Sequence, residues 1–218
     1  AETDIEVMLL LDASRSMAWR WEDQVSKLEY AATLLAALTF LYMRQHDQVG
    51  LMVHDAEDLH YLPPRCRRAQ IEEIYVTLDG VQPGAADTFT QLVKDVAERK
   101  RHRGHILICS DLEENDEQIE VALKTLSVRE DEVMIIHLLD QAEIELPFAD
   151  ATHIRDSETG EVVPVNLVEL KKSHREKIDR FRDHWSKLCR QYGMTYVPLD
   201  TGMNYIDAIQ GYVEAREE

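Results

Sequence analysis

Ile5-Glu-Val-Met-Leu-Leu-Leu11, followed by Asp12-Ala-Ser-Arg-Ser16, is the stretch on which the fold turns. The apolar run is short and nearly continuous, which is the pattern of a parallel strand buried on both faces. A polar loop takes over from Asp12 to Asp23. Gln24 to Gln45 then places Leu28, Ala31, Leu35, Leu38 and Tyr42 at helical spacing. Strand, polar loop and helix in that order open an α/β fold.

The rest of the chain repeats the alternation. Further strands are expected at Val49–His54, His105–Cys109, Glu132–Leu139 and Thr195–Leu199. Leu59–Leu62 precedes Pro63-Pro64, which suits an edge strand, and an Asp55-to-Asp58 turn would run it antiparallel. Helices are expected at Ala69–Leu78, Thr88–His102, Asp116–Leu126, Val168–Tyr192 and Tyr205–Arg216. Thr88-x-x-Gln91 has the form of a capping box, and Gly193 that of a left-handed helix stop. Ala142 to Val165 is less regular. There Asp156-Ser-Glu-Thr-Gly160 reads as a hairpin turn between short strands at Thr152–Arg155 and Glu161–Pro164. The expectation is a three-layer, doubly wound, mainly parallel sheet with one antiparallel edge strand, in a single domain over residues 1–218.

Composition narrows the function. The net charge of −18, from 42 acidic and 24 basic residues, repels phosphates and weighs against nucleic acid and anionic membranes as partners. No apolar run approaches the roughly 20 residues of a membrane span. The longest apolar-rich stretch, Ala31 to Met43, contains Thr33, Thr39 and Tyr42 and reads as a buried helix. No signal peptide is visible, and Ala1-Glu-Thr-Asp4 leads straight into a core strand, as in a fragment of a longer protein. Cys66, Cys109 and Cys189 are odd in number and none is paired at metal-ligand spacing. That fits a reducing compartment, so a cytoplasmic location is expected. Cys109 lies in an apolar run and is expected in the core.

In open α/β sheets ligands bind beyond the carboxyl ends of the strands. The residues there are Asp12, with Ser14 and Ser16 at alternate positions, and Asp111 after the third buried parallel strand. Thr88 and Thr90 stand at a helix start between them. All are hard oxygen ligands of the kind magnesium takes, usually with several waters kept. Alternate residues of an extended loop point to one side, so Ser14 and Ser16 can reach the ion that Asp12 reaches. Read alone, Asp12 also suits a strand end accepting loop N–H bonds. The second Asp on a neighbouring strand and the helix-start threonine favour the metal.

Asp12-Ala-Ser-Arg-Ser-Met17, a later Thr, and Ile108-Cys-Ser-Asp111 together resemble the metal-ion-dependent adhesion site of von Willebrand factor A (vWA) domains. More closely, the chain resembles the bacterial domain-of-unknown-function 58 family, which contains such a domain. Lys27-Leu-Glu-Tyr-Ala-Ala32, Arg44-Gln-His-Asp-Gln-Val-Gly-Leu51, Arg103-Gly104, Asp156–Gly160 and Val197-Pro-Leu-Asp-Thr201 carry the likeness along the whole chain. The resemblance implies metal ligands at Asp12, Ser14, Ser16, Thr88 and Asp111, holding Mg2+ (or Mn2+ or Ca2+). It also implies an additional N-terminal region and a MoxR-type AAA+ ATPase, or its client, as partner. Two departures stand out. Ala86-Asp87-Thr88-Phe-Thr90 replaces a Gly-Gly-Thr, which leaves Thr90 as an alternative to Thr88. His54 stands where a phenylalanine is usual, and reads as a structural histidine.

Other signals carry less. Asp111-Leu-Glu-Glu-Asn-Asp116 lacks the glycine and the final glutamate of an EF-hand loop. Glu113 and Glu114 read as a solvated loop. Gly104 and a strand start separate His102 from His105, against a zinc pair. Trp19 and Trp21 either rim an interface or pack over the first helix. Arg65, Arg67 and Arg68 read as a solvated face, and the charged Val168–Tyr192 helix as an outer one.

Three function classes follow. The first is a non-enzymatic module that binds an acidic group of a partner through the metal. The second is a magnesium-dependent phosphohydrolase. Against it, Ser14 stands where an acid/base carboxyl would, and there is no Gly-rich phosphate loop or Gly-x-Ser-x-Gly. The third is a structural domain with a degenerate site.

Overall fold

The computed structural model describes residues 5–56, 58–84, 88–147, 153–155, 162–164 and 166–217. Six strands form one sheet in the order β3-β2-β1-β4-β5-β8. β1 (Glu6–Asp12) runs between β2 (Gln48–His54) and β4 (Gly104–Ser110), parallel to both. β5 (Glu132–Leu139) and β8 (Thr195–Asp200) extend the parallel set. β3 (Leu59–Arg65) closes the other side antiparallel to β2. The doubly wound sheet with an antiparallel edge is therefore the fold that the alternation of elements predicts.

The unbroken apolar runs follow from helices on both faces. Side chains alternate across a strand. Val7, Leu9 and Leu11 of β1 face α1 (Lys27–Arg44), α2 (Arg68–Gly80) and α7 (Tyr205–Glu217). Met8 and Leu10 face the other layer, α3 (Thr88–Arg99), α4 (Asp116–Ser127) and α6 (Leu167–Gln191). Cys109 is fully buried in the first of these cores. α1 starts on a reciprocal cap, in which Glu29 donates its N–H to Ser26 Oγ and Ser26 donates its N–H to Glu29 Oε2. α6 stops before Gly193, whose φ of +69° is free of strain only for glycine.

Both margins of the sheet contain proline. Pro63 and Pro64 lie inside β3, which outruns the expected Leu62. Gly50 makes room for them where the β2–β3 register shifts between Val49 and Leu51. A Cβ there would meet the Leu62 carbonyl oxygen at 2.7 Å and Pro64 N at 2.8 Å. β8, the opposite edge, exposes Pro198.

Two local expectations need correction. The helix from Thr88 ends at Arg99 rather than His102, because Lys100 turns inward to a buried ion pair with Asp131 at 2.8 Å. The Thr88–Gln91 capping box does not form: the Thr88 hydroxyl donates to Asp12 and the Gln91 amide to Asp95. In the irregular stretch a further helix, α5 (Gln141–Glu145), starts on a cap made by Asp140 and Glu143. β6 (His153–Arg155) and β7 (Val162–Pro164) pair antiparallel. The expected Asp156–Gly160 turn, Thr152 and Glu161 lie outside the described residues, as do Ala86 and Asp87. Among the described residues no helix is long and apolar enough to cross a membrane.

Candidate metal centre

β1 and β4 end side by side, and their carboxyl ends deliver Asp12 and Asp111. Asp12 is fully buried. Its Oδ1 accepts the Ser14 N–H at 2.9 Å and the Thr88 hydroxyl, and its Oδ2 accepts the Ser110 hydroxyl at 2.5 Å. A short 3-10 turn, Ser16–Ala18, folds the loop back so that the Ser14 and Ser16 hydroxyls stand 3.0 Å apart. Four of the five expected ligands, Asp12, Ser14, Ser16 and Thr88, thus form one hydrogen-bonded group. Asp111 joins it electrostatically. Burial first, and then the charge of Asp111, push the Asp12 carboxyl above the ordinary range.

The turn that presents Asp111 is held from several sides. Leu112 is buried with φ +55°, a region that bulky residues rarely enter and that costs on the order of 1–3 kcal/mol. The Leu112 N–H donates to Ser110 Oγ at 3.0 Å, and the Glu113 N–H donates to Asp111 Oδ1 at 3.2 Å. From β5, His137 Nε2 lies 3.1 Å from the Asp111 carbonyl and its Nδ1 lies 2.5 Å from the Tyr196 hydroxyl. Burial, helped by the nearby Arg182 charge, pushes the imidazole down to about 3. The ring is therefore neutral, with Nε2–H donating to the carbonyl and Nδ1 accepting from Tyr196.

The second oxygen of Asp111 meets a buried lysine. Lys27, the first residue of α1, is fully buried, with Nζ 2.9 Å from Asp111 Oδ2 and 2.9 Å from Glu143 Oε1 of α5. Burial would lower the ammonium pKa, but Asp111, Glu143 and Glu113 hold it above the ordinary range. Lys27 is engaged by these carboxylates, and among the described residues no cation pairs with Asp12.

The two threonines separate cleanly. The Thr88 hydroxyl is on Asp12, whereas Thr90 turns to Glu114, which accepts its N–H at 3.2 Å and its hydroxyl at 2.9 Å. Glu114 also accepts the Phe89 N–H at 2.5 Å. Glu114 is therefore no solvated loop residue: it closes the first turn of α3, where amides lack helical partners and negative charge is favoured. Ser110, Lys27 and His137 are the participants that sequence reasoning passed over, and Glu114 is one that it read otherwise. Only Ser110, beside Asp111, had a positional signal.

His54 pairs with Asp95 at 2.6 Å, the structural role expected of it. His105 pairs with Glu132 at 3.0 Å. Trp19 and Trp21 line a cavity with residues of α5 and α6.

The donor set fits a hard divalent cation. Asp12 is a buried carboxylate with no cation paired to it among the described residues; the Thr88 and Ser110 hydroxyls bond it, the Ser14 and Ser16 hydroxyls pair in the adjoining loop, and the Asp111 charge acts on it. Such all-oxygen sets suit Mg2+, Mn2+ or Ca2+. Among the described residues no three His, Cys, Asp or Glu side chains cluster to hold a metal, so the hydroxyls are indispensable to any ion held here.

Comparisons with known proteins agree on the architecture. The family model described as protein of unknown function DUF58 matches residues 1–185. A similar solved structure is the conserved hypothetical protein BatB from Bacteroides thetaiotaomicron. It has 21% identity over 98% of this chain and 100% of that one, with TM-score 0.58. An aerotolerance-related membrane protein from Bacteroides fragilis NCTC 9343, carrying multiple mutations to serines, has 22% identity over 98% and 100%, with TM-score 0.57. The SpRpn10 VWA domain has 12% identity over 94% and 93%, with TM-score 0.52. No curated protein matches the sequence.

Proposed function

The chain belongs to the DUF58 family and has a vWA-like fold, a common protein-interaction module, and on that premise we propose that it binds an acidic group of a partner protein through a divalent cation held by Asp12, Ser14, Ser16, Thr88 and Asp111. One observation carries the reading: a fully buried carboxylate, Asp12, lies at the carboxyl edge of the sheet with no cation paired to it among the described residues, while hydroxyls converge on it. A bound hard cation would supply a Lewis-acidic position for a partner's carboxylate. The protein's own residues set how that position behaves. Ser14, Ser16 and Thr88 add donors without adding charge. The hydrogen-bonded Leu112 turn positions Asp111, and Lys27 offsets part of the carboxylate charge.

A binding module is preferred to a hydrolase, since Ser14 cannot do acid–base work at neutral pH. The partner proposed from family resemblance is a MoxR-type AAA+ ATPase or its client, in chaperone-like or complex-maturation work, with the cytoplasm as the location. The experiment is a thermal-shift titration with Mg2+ and Mn2+, followed by pull-down of a MoxR-type ATPase with and without chelator. The wild type should gain stability with metal and lose its partner in chelator, and Asp12→Ala should lose both responses. A wild type indifferent to either metal would reject the reading.

A further inference from the structure

Beside Asp111 the structure contains a groove that the metal centre does not use. Its volume is ≈ 320 Å³, at the small end of the ~300–1,000 Å³ of ligand cavities, suited to one long side chain. Trp19 and Trp21 from the loop after β1 form one wall, and Phe181 and Ile178 of α6 form another. Glu113 and Glu143 bring two carboxylates to the same space. The Glu113 carboxylate is exposed and closes no hydrogen bond or ion pair among the described residues, whereas Glu143 is held by Lys27 and by the Asp140 N–H. With Asp111 counted, three carboxylates act on the Lys27 ammonium, Asp111 and Glu143 by contact and Glu113 through its charge.

We propose that this groove receives an arginine side chain from the partner protein, next to the acidic group read at the metal. The chemistry is complementary in its aromatic, carboxylate and apolar lining, and His174, the other polar residue there, has its Nε2 engaged by the Glu143 carbonyl. A guanidinium is attracted to aromatic rings, whose faces carry negative quadrupole charge, and Trp19, Trp21 and Phe181 line the groove. Its fork of donors matches the Glu113 carboxylate, which Lys27 attracts but does not hydrogen-bond, better than a point charge does. The aliphatic stem lies along Ile178 and the other apolar lining residues, Leu139 and Leu146. A purely apolar occupant would leave Glu113 desolvated without a partner, which is costly. The net charge of −18 favours basic partner segments in the same direction.

The inference rests on the reading of the chain as an interaction module, but not on the metal. The test follows the indole N–H signals of the 15N-labelled protein during titration with N-acetyl-arginine amide, in chelator and in Mg2+. Trp19 and Trp21 should shift saturably in the millimolar range under both conditions, while the fully buried Trp185, which meets the groove only through Phe181, keeps one resolved signal that reports folding. N-acetyl-norleucine amide should bind at least about fivefold more weakly, and so should arginine amide to Glu113→Gln, because each loses a charge-assisted contact. Trp19→Ala should weaken binding while leaving the Trp185 signal in place as a control for folding. Equal binding of the norleucine compound, no movement of Trp19 and Trp21 in the wild type, or undiminished arginine binding by Glu113→Gln, would overturn the proposal. Loss of arginine binding in chelator alone would also count against it, whereas failure of the metal titration would leave it standing.

Discussion

Replacing Lys27 by methionine tests the buried charge arrangement most directly. Methionine keeps the stem's length and removes only the ammonium. The wild-type Nζ is fully buried at 2.9 Å from both Asp111 and Glu143, and the Asp111 side chain is itself 1% exposed. Removing one member of a buried ion pair leaves uncompensated charge and costs about 3–5 kcal/mol. A chain of this size loses about 2–4 °C per kcal/mol, so Lys27→Met should melt roughly 6–20 °C below the wild type in chelator. The pH dependence has a definite sign. The Lys27 pKa is raised in the folded protein. Its contribution is therefore complete below the unfolded lysine value of about 10.4 and is lost as pH rises through the folded value. Alkaline destabilisation should be steeper in the wild type than in the variant. Magnesium should raise the melting temperature of the variant more than that of the wild type, since the ion would answer the same carboxylates. Thermal and urea melts with and without chelator, at pH 7 and above pH 10, together give these quantities. A variant within about 0.5 kcal/mol of wild type at pH 7, the range of ordinary surface substitutions, would refute the reasoning.

Three further outcomes are expected. Thr88→Ala should abolish metal-dependent stabilisation, while Thr90→Ala should retain it and lose about 1 kcal/mol through its Glu114 bond; equal effects in a thermal-shift titration would undo the distinction. Asp131 is 1% exposed between Lys100 at 2.8 Å and Arg129 at 2.6 Å, so Asp131→Asn should cost about 3–5 kcal/mol at pH 7. Burial raises the carboxyl pKa but those two bases hold it below the ordinary range, so its contribution stands above about pH 3.9 and fades as pH falls through the lower folded value. Wild type and Asp131→Asn should therefore converge in acid denaturation, and parallel acid limbs would contradict this. Gly104→Ala would drive a Cβ into the Glu6 carbonyl oxygen of the neighbouring strand, and chemical denaturation should show a loss of about 1–3 kcal/mol or more; a neutral result would mean that β1 and β4 separate freely.

The sequence exposes the scaffold because its signals are local. An apolar run such as Val7–Leu11 identifies a strand buried on both faces without knowledge of its neighbours, and the alternation with helices then orders the sheet. Strand ends are equally local, which is why Asp12 and Asp111 are legible. What the sequence hides is long-range. Lys27 looks like any polar residue at a helix start, and only the meeting of α1, the β4 turn and α5 shows that it is enclosed. Glu114 lies 25 positions from Phe89 in sequence, yet it replaces the cap that Thr88 and Gln91 were expected to make. The small helix at Gln141–Glu145 was legible in principle, since Asp140-x-x-Glu143 has the spacing of a cap. It was obscured by the irregular stretch that follows.

The prolines at the two margins of the sheet limit how molecules of this protein can meet. A second chain adding itself edge-on needs a row of backbone donors, and Pro63, Pro64 and Pro198 interrupt that row on both sides. Strand addition is thereby disfavoured at both margins, since each proline carries no N–H for a new strand to meet. Contact is steered away from generic backbone pairing, which any sticky peptide can satisfy, towards side-chain recognition at the loop face, which few partners can.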